Sequence, residues 1–308
     1  MRLVFMGNGA FGIPTLHHLV ASPHKIMTVI TNPDKPAGRG HKPTPTPIKQ
    51  AAQALNLPVW EVESPKDPHL PERLAALQAH AFVVVAYRIL PEVIWKIPPF
   101  GAINIHPSLL PDYRGPAPIP WTIICGETYT GVTTFRIQAG VDTGEILLQR
   151  KYPLPETWDA GQLERFLAEM GASLLLETLE GLALGTLTPQ PQPEKPNAPY
   201  APKLTAQNTR IFWNQPAEKV YNFIRGLAPS PRAWTLFQGK RLQILRAEKV
   251  PRHTHHPPGT LWQEGNDLLV ACQEAPLRLL EVQLEGRKAI TGAEFARGFV
   301  KNHFLAVE

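Results

Sequence analysis

The spacing of apolar residues changes along the chain, and each change marks an element. Leu3 to Met6 is a short apolar run closed by Gly7, and Phe11 to Val20 repeats its apolar side chains at helical spacing, so the opening predicts strand, glycine turn and helix. Ile26 to Thr31 and Val59 to Val62 read as strands, and Ile48 to Leu55 and Pro68 to Ala79 as helices. Ala81 to Ala86 reads AFVVVA. A run that is apolar throughout and rich in β-branched residues suits a central parallel strand covered on both faces. Strands alternating with helices predict an α/β fold with a doubly wound, mostly parallel, Rossmann-like sheet. Ligands in such sheets bind beyond the carboxyl ends of the strands.

From Gly101 the chain alternates as another strand, followed by the glycine- and proline-punctuated segment SLLPDYRGPAPIP. Val132 to Ile137 and Ile146 to Tyr152 read as a strand pair, and Gln162 to Leu182 as a helix with a charged outer face. Thr188 to Pro202 holds six prolines in fifteen residues, which predicts a semi-rigid extended linker. Pro216 to Leu227 predicts a helix. The stretches WTLFQGKRLQILRAEKV, GTLWQEGNDLLVA and LRLLEVQLEG predict the short strands and turns of a small, OB-like β-barrel. The expected organisation is a first domain over 1–187, a linker over 188–206 and a barrel domain over 207–308.

Charge sets the last third apart. Residues 1–200 carry 16 basic against 17 acidic side chains, and residues 201–308 carry 15 against 9. Between Lys203 and Arg252 the count is ten to two. Such a stretch is a polyanion-binding footprint or a solubilising surface, and Lys203, Arg210, Arg225, Lys240, Arg241 and Arg246 supply much of it. Asn32 to Pro47, with Lys35, Arg39 and Lys42, is too polar to form a core and reads as a surface loop. Cys125 and Cys272 make no metal or redox spacing and read as small core residues of separate domains. His253, His255 and His256 have no cysteine or carboxylate cluster beside them and read as a polar loop, so no metal is expected. The N-terminus has no cleavage-site pattern, and nowhere do about eighteen apolar residues run together, so a cytoplasmic protein without a membrane partner is expected.

Chemistry concentrates between Gly101 and Glu145. Side chains two apart on a strand share a face, so Asn104 and His106 project together. Asp142 sits between Gly140 and Gly144, in a turn free to fold back toward a neighbouring strand end. An amide, an imidazole and a carboxylate suit attack on a carbonyl: two donors hold the oxyanion while the carboxylate handles the nucleophile's proton. A substrate amine then serves as nucleophile. Taken singly, each of the three residues reads better as a turn cap, a core histidine or a turn acid. The long ordered loop that follows the strand singles out the trio. Gly7, Gly9 and Gly12 also spell GxGxxG, but the second strand ends in Asn32-Pro33-Asp34 with no acid in the strand end itself, which counts against a nicotinamide dinucleotide.

The run Asn104-x-His106-Pro107-Ser108-Leu109-Leu110-Pro111-x-Tyr113-Arg114-Gly115, with Gly140-Val141-Asp142-Thr143-Gly144, resembles the signature of the 10-formyltetrahydrofolate-dependent formyltransferases. Over the whole chain the resemblance is to the members that act on methionyl-tRNA. It implies transfer of a formyl group from 10-formyltetrahydrofolate, a cosubstrate, to the α-amino group of initiator methionyl-tRNA for translation initiation, with no metal and no DNA partner. It implies catalytic roles for Asn104, His106 and Asp142, and a folate site lined by Ser108, Leu109, Leu110 and Pro111. The loop Tyr87, Arg88, Ile89 and Leu90 would border the pterin. Where family members read Ala-Tyr-Gly plus one more residue before Ile-Leu-Pro, this chain is one residue shorter and carries Arg88. The loop holding Arg39 would enter the tRNA acceptor arm. A formyltransferase of amino sugar nucleotides shares the signature but needs no basic C-terminal domain. Glycinamide ribonucleotide formyltransferase shares the trio but ends near where the linker begins. A non-catalytic RNA-binding protein would explain the basic third alone.

Overall fold

A computed structural model of the chain describes residues 1–37, 42–300 and 304–307. In chain order the first elements are β1 (Arg2–Gly7), α1 (Ile13–Val20), β2 (Lys25–Thr31), β3 (Lys35–Ala37), β4 (Lys42–Thr44), α2 (Pro47–Ala54), β5 (Val59–Glu61) and α3 (Leu70–Ala76). They are followed by β6 (Ala81–Val85), α4 (Glu92–Trp95), β7 (Ala102–His106), α5 (Pro118–Ile124), β8 (Tyr129–Arg136), β9 (Ile146–Pro153) and α6 (Ala160–Leu184). Two compact units result. The first holds Met1–Pro118, Tyr129–Tyr152 and Glu164–Tyr200, and the second holds Ile119–Thr128, Pro153–Leu163 and Ala201–Glu308.

The sheet of the first unit runs β5-β2-β1-β6-β7-β8-β9. Its members from β5 to β7 are parallel, and β8 pairs antiparallel with β7. Every residue of β6 is buried, as the AFVVVA run predicts. Val4, Met6, Ile30, Phe82 and Val84 form one core with Leu70, Leu74 and Ile94 from the covering helices. On the face of β7 that carries Ile105, α6 comes close: a Cβ at Gly171 would lie 2.7 Å from Ile105 Cγ2. The Thr134 and Thr178 hydroxyls, 2.7 Å apart, join β8 to the same helix. One face of β7 is therefore closed by packing, and Asn104 and His106 alternate onto the other.

The second unit adds α7 (Ala217–Gly226), β10 (Ala233–Phe237), β11 (Lys240–Lys249), β12 (Thr260–Glu264), β13 (Asp267–Ala271), β14 (Pro276–Leu284), β15 (Ile290–Thr291), α8 (Gly292–Phe295) and β16 (Leu305–Ala306). Its strands run antiparallel in the order β10-β11-β14-β13-β12-β16, with β15 on β14. A bridge from Phe237 to Val307 ties the two edges and nearly closes the sheet into the expected barrel. Phe237 and Phe295 meet edge to face in its core, with ring centres 5.2 Å apart.

Four features differ from the sequence reading. The loop Asn32 to Pro47 contains a short antiparallel ribbon, β3 on β4. The Lys49 ammonium anchors its base, 2.7 Å from both Asp34 and Glu61. Arg39 lies outside the described residues. Cys125 is exposed at the end of α5 rather than a core residue, and both cysteines belong to the second unit. Only Cys272 is buried, and burial, followed by the nearby Glu274 charge, pushes its thiol up to about 12. The segments around α5 and Pro153–Leu163 join the second unit because glycine admits them. A Cβ at Gly226 in α7 would lie 2.8 Å from Ile124 Cγ1 and 3.0 Å from the Pro120 carbonyl. Finally, α8 and the π-helical turn Ala296–Val300 follow a Thr291 capping box, and the sequence reading assigned no helix there. No helix among the described residues is long and apolar enough to cross a membrane.

The capping box seats α8 so tightly on β14 that a Cβ at Gly292 would overlap the Leu279 carbonyl, whereas one at Gly298 would meet nothing within 4 Å. Gly292→Ala should therefore destabilise the second unit by about 1–3 kcal/mol, and Gly298→Ala should leave it unchanged. Chemical denaturation of both variants checks this, and equal midpoints would refute the crowding argument.

Candidate active site

The site begins at the carboxyl end of β7. Asn104 sits opposite Val84 of β6 and Phe135 of β8, and His106 opposite Thr133 of β8. Asn104 is half-buried, and its side-chain amide has no hydrogen-bond partner among the described residues. His106 is buried. Its Nε2 lies 2.8 Å from the Tyr113 carbonyl, a group that only accepts, so Nε2 carries the proton. Nδ1 then turns its lone pair toward Asp142, whose Oδ2 is 3.8 Å away. That gap is too long for a hydrogen bond and near enough for charge to act across it. Burial disfavours the imidazolium and holds the His106 pKa below its usual value, against the opposing pull of the Asp142 charge and the Tyr113 carbonyl.

Two loops are shaped to make this meeting possible. In the loop after β7, Thr133 Oγ1 donates to the Ser108 carbonyl and accepts from Leu110 N–H, while Gln149 Nε2 donates to the Leu110 carbonyl at 2.8 Å. The Ser108 hydroxyl donates to the Asp112 carbonyl. Tyr113 follows with φ +59°, which aims its carbonyl back at His106, and its N–H donates to the Pro199 carbonyl. Asp142 also has a left-handed backbone, φ +54°, in the turn between β8 and β9. Its Oδ2 accepts from Gly115 N–H at 2.9 Å, which joins the two loops. The turn needs its glycine: a Cβ at Gly144 would overlap the Arg136 carbonyl.

Asn104, His106 and Asp142, expected to meet from the sequence, are thus placed on one strand end and one facing turn. The expected folate residues divide. Ser108, Leu110 and Pro111 are buried, with the Ser108 hydroxyl committed inside its own loop, while Leu109 is half-buried. In the loop after β6, Leu90 is buried in the core, Ile89 is 80 % exposed, and the Arg88 guanidinium donates to the Glu63 carbonyl. The Tyr87 hydroxyl is buried with no hydrogen-bond partner among the described residues, and burial pushes its pKa up. In the glycine turn after β1, Asn8 Oδ1 accepts from Thr31 Oγ1 and Asn32 N–H, closing the end of β2.

The basic residues of the second unit also divide. Lys203, Lys240 and Arg246 are exposed, and Arg241 stacks 4.2 Å over the Trp234 ring with Arg210 5.6 Å from it. Arg225 departs from the expected surface role. It is buried, its Nε donating to Asn222 and one terminal N–H to the Trp158 carbonyl, so its charge is committed inside the fold. His256 lies between the Trp262 and Phe304 rings. Sequence reasoning missed Thr133, Gln149 and the Tyr113 carbonyl, whose roles arise from register and backbone angle. It also missed Gln192, in the segment read as a linker, which bonds to both site loops.

A strand end bearing a half-buried amide and a buried imidazole, facing a carboxylate turn, is an arrangement with the chemistry that acyl transfer needs. Two family models match the chain: the formyl transferase model over residues 1–179 and the formyl transferase C-terminal domain model over residues 203–300. The methionyl-tRNA formyltransferase of Solibacter usitatus is 46% identical over 299 residues, 97% of this chain and 96% of its own. That of Porphyromonas gingivalis is 40% identical over 319 residues, 100% of this chain and 98% of its own. The chain belongs to the methionyl-tRNA formyltransferase family. Neither an amino sugar formyltransferase nor a non-catalytic RNA-binding protein is favoured by these relatives. Among solved structures, HypX from Aquifex aeolicus in complex with tetrahydrofolic acid shares the fold, with TM-score 0.69 at 18% identity, covering 98% of this chain and 48% of that one.

The neutral, buried state assigned to His106 has a direct test. The ring should titrate below its ordinary 6.5, and Asp142→Asn should lower the midpoint further by removing the carboxylate that favours the charged form. An NMR titration of the His106 ring protons reads both. A midpoint at or above 6.5, or an upward move in the variant, would contradict the assignment.

Proposed function

We propose that this protein transfers the formyl group of 10-formyltetrahydrofolate to the α-amino group of initiator methionyl-tRNA, with the chemistry in residues 1–187 and most tRNA phosphate contacts in residues 207–308. The observation that carries the reading is the meeting of His106 Nδ1 with Asp142 Oδ2 across 3.8 Å, beside a half-buried Asn104 amide that makes no hydrogen bond among the described residues. The amine lone pair forms the new C–N bond, and the carbonyl π pair moves to oxygen. Asn104 N–H donates to that oxyanion, a contribution of about 3 kcal/mol for a well-placed donor. Asp142 accepts the amine proton, directly or through a water, and its charge helps His106 Nδ1 to hold a proton once one arrives. The oxyanion then collapses, the bond to the folate nitrogen breaks, and that nitrogen takes the electron pair and the relayed proton.

The folate donor fits the loops after β6 and β7. Tyr87 offers a hydroxyl without a partner among the described residues, and Ile89 an exposed apolar side chain. Because Ser108, Leu110 and Pro111 are buried, the proposed contacts of the Ser108 to Pro111 segment come from Leu109 and from backbone groups. Lys35, Arg39 and Lys42 are proposed to meet the tRNA acceptor arm. Lys203, Arg210, Lys240, Arg241 and Arg246 are proposed to neutralise its phosphates, and the stacked Trp234 offers a surface for guanidinium or base stacking.

Formyl transfer to charged initiator tRNA, measured against free methionine and sugar nucleotides, tests the substrate. Asn104→Ala, His106→Ala and Asp142→Ala should each reduce turnover at least about a hundredfold while folate still binds. Full activity in any one variant removes that residue from the mechanism. Reversal of Lys240, Arg241 and Arg246 together should raise KM for tRNA and flatten the slope of log affinity against log salt by about two units, at about 0.7–0.9 per contact. Turnover at saturating tRNA should change little. An unchanged slope would leave these charges as solvating groups only.

A further inference from the structure

The proline-rich segment after α6 is bonded to the loops of the site. Gln190 exchanges backbone hydrogen bonds of 2.8 Å with Ile146, at the start of β9. Lys195 pairs with Asp112, and the Pro199 carbonyl accepts from Tyr113 N–H. Gln192, half-buried between these anchors, uses its whole amide. Nε2 donates to the Asp142 and Gly144 carbonyls, both at 2.8 Å. Oε1 accepts from Arg114 Nε and a terminal N–H of the same guanidinium. An amide has two N–H groups and two acceptor lone pairs, so all four are taken, and two carbonyls on one side with a guanidinium on the other fix its orientation.

The partners decide what this can do. Asp142 and Gly144 lie in the carboxylate turn, and Arg114 stands between Tyr113, whose carbonyl holds His106, and Gly115, whose N–H holds Asp142 Oδ2. A single side chain therefore bridges the backbone that aims the carboxylate and the loop that aims the imidazole. Among the described residues the Asp142 side chain has the Gly115 bond as its direct tie to the opposite loop, and its backbone holds the left-handed angle. Left-handed backbone at a non-glycine residue persists only where its surroundings over-determine it. Gln192 supplies two of the hydrogen bonds that do so.

We propose that Gln192 is a positioning residue for formyl transfer, holding the Asp142 turn against the His106 loop so that the carboxylate and the imidazole keep their separation. The proposal rests on the assignment of Asp142 to proton handling in the reaction. Misplacement of a reacting group by about 1 Å costs on the order of a hundredfold in rate, and the Gln192 amide spends all four of its hydrogen bonds inside the protein, so the loss belongs in kcat and not in KM.

The test uses the full-length protein, with 10-formyltetrahydrofolate and charged initiator tRNA as substrates. Gln192→Ala should lower kcat by about tenfold to a hundredfold, with KM for tRNA and folate binding within about twofold of the parent. Gln192→Glu keeps the size and the Arg114 pairing but cannot donate to the two carbonyls, and should lose kcat to a similar extent. A double variant separates positioning from a general weakening of the fold. If Gln192 acts through Asp142, adding Gln192→Ala to Asp142→Ala should cost nothing further, whereas an unrelated structural effect multiplies the two losses. Full activity of Gln192→Ala or Gln192→Glu, a loss confined to KM, or multiplied losses in the double variant would each overturn the proposal. Full activity of Asp142→Ala would instead overturn the assignment on which it rests.

Discussion

Everything at the site depends on the hydrogen bond between His106 Nε2 and the Tyr113 carbonyl. A buried imidazole without a partner would cost its desolvation and would be free to turn. With Nε2–H fixed on a carbonyl, the ring cannot flip, its tautomer is set, and Nδ1 is committed to the side where Asp142 stands. The carbonyl can reach back only because Tyr113 adopts a left-handed backbone, and the loop on either side is held by Thr133, Gln149 and the Pro199 carbonyl. The chemistry of one nitrogen is thereby set by backbone geometry seven residues downstream.

The sheet explains why this arrangement sits where it does. The parallel strands β6 and β7 end together, and the loops that leave them must turn over the edge of the sheet. On the Ile105 face, the close pass of α6 at Gly171 leaves no room for a ligand. On the other face, Asn104 and His106 alternate outward. The antiparallel β8 ends opposite Ile103, near the start of β7, so the turn between β8 and β9 has to reach back along the strand before Asp142 meets the Gly115 N–H.

This history accounts for what could be read in the sequence and what could not. The period of two put Asn104 and His106 on one face, and Gly140 and Gly144 marked the Asp142 turn, because those signals are local. The continuous apolar run of β6 marked the centre of the sheet for the same reason. The buried state of Arg225 was hidden because a count of charges does not distinguish a guanidinium facing solvent from one bonded to Asn222 and the Trp158 carbonyl. The exposure of Cys125 was hidden because the residues that form most of α5 were assigned no element, and its place at the helix end follows from packing. Gln192 was hidden most completely. Proline-rich composition says correctly that the segment is extended, but it says nothing about what an extended segment lies against.

The separation of His106 and Asp142 is itself informative about how the pair works. A closed ion pair in a buried place carries a desolvation cost that only excellent geometry offsets. Here the carboxylate keeps one backbone N–H from Gly115 and stands 3.8 Å from Nδ1. Burial is the larger influence on the ring and the Asp142 charge the lesser, so the imidazole rests neutral. In the proposed reaction, a proton arriving from the attacking amine changes the balance. Shared between the carboxylate and Nδ1, it finds an acceptor on either side and a favourable charge across the gap, while the neutral resting state avoids holding a buried imidazolium through the rest of the cycle. The open distance is therefore consistent with a proton in transit, and it has to be maintained against both closure and drift by the loops on either side.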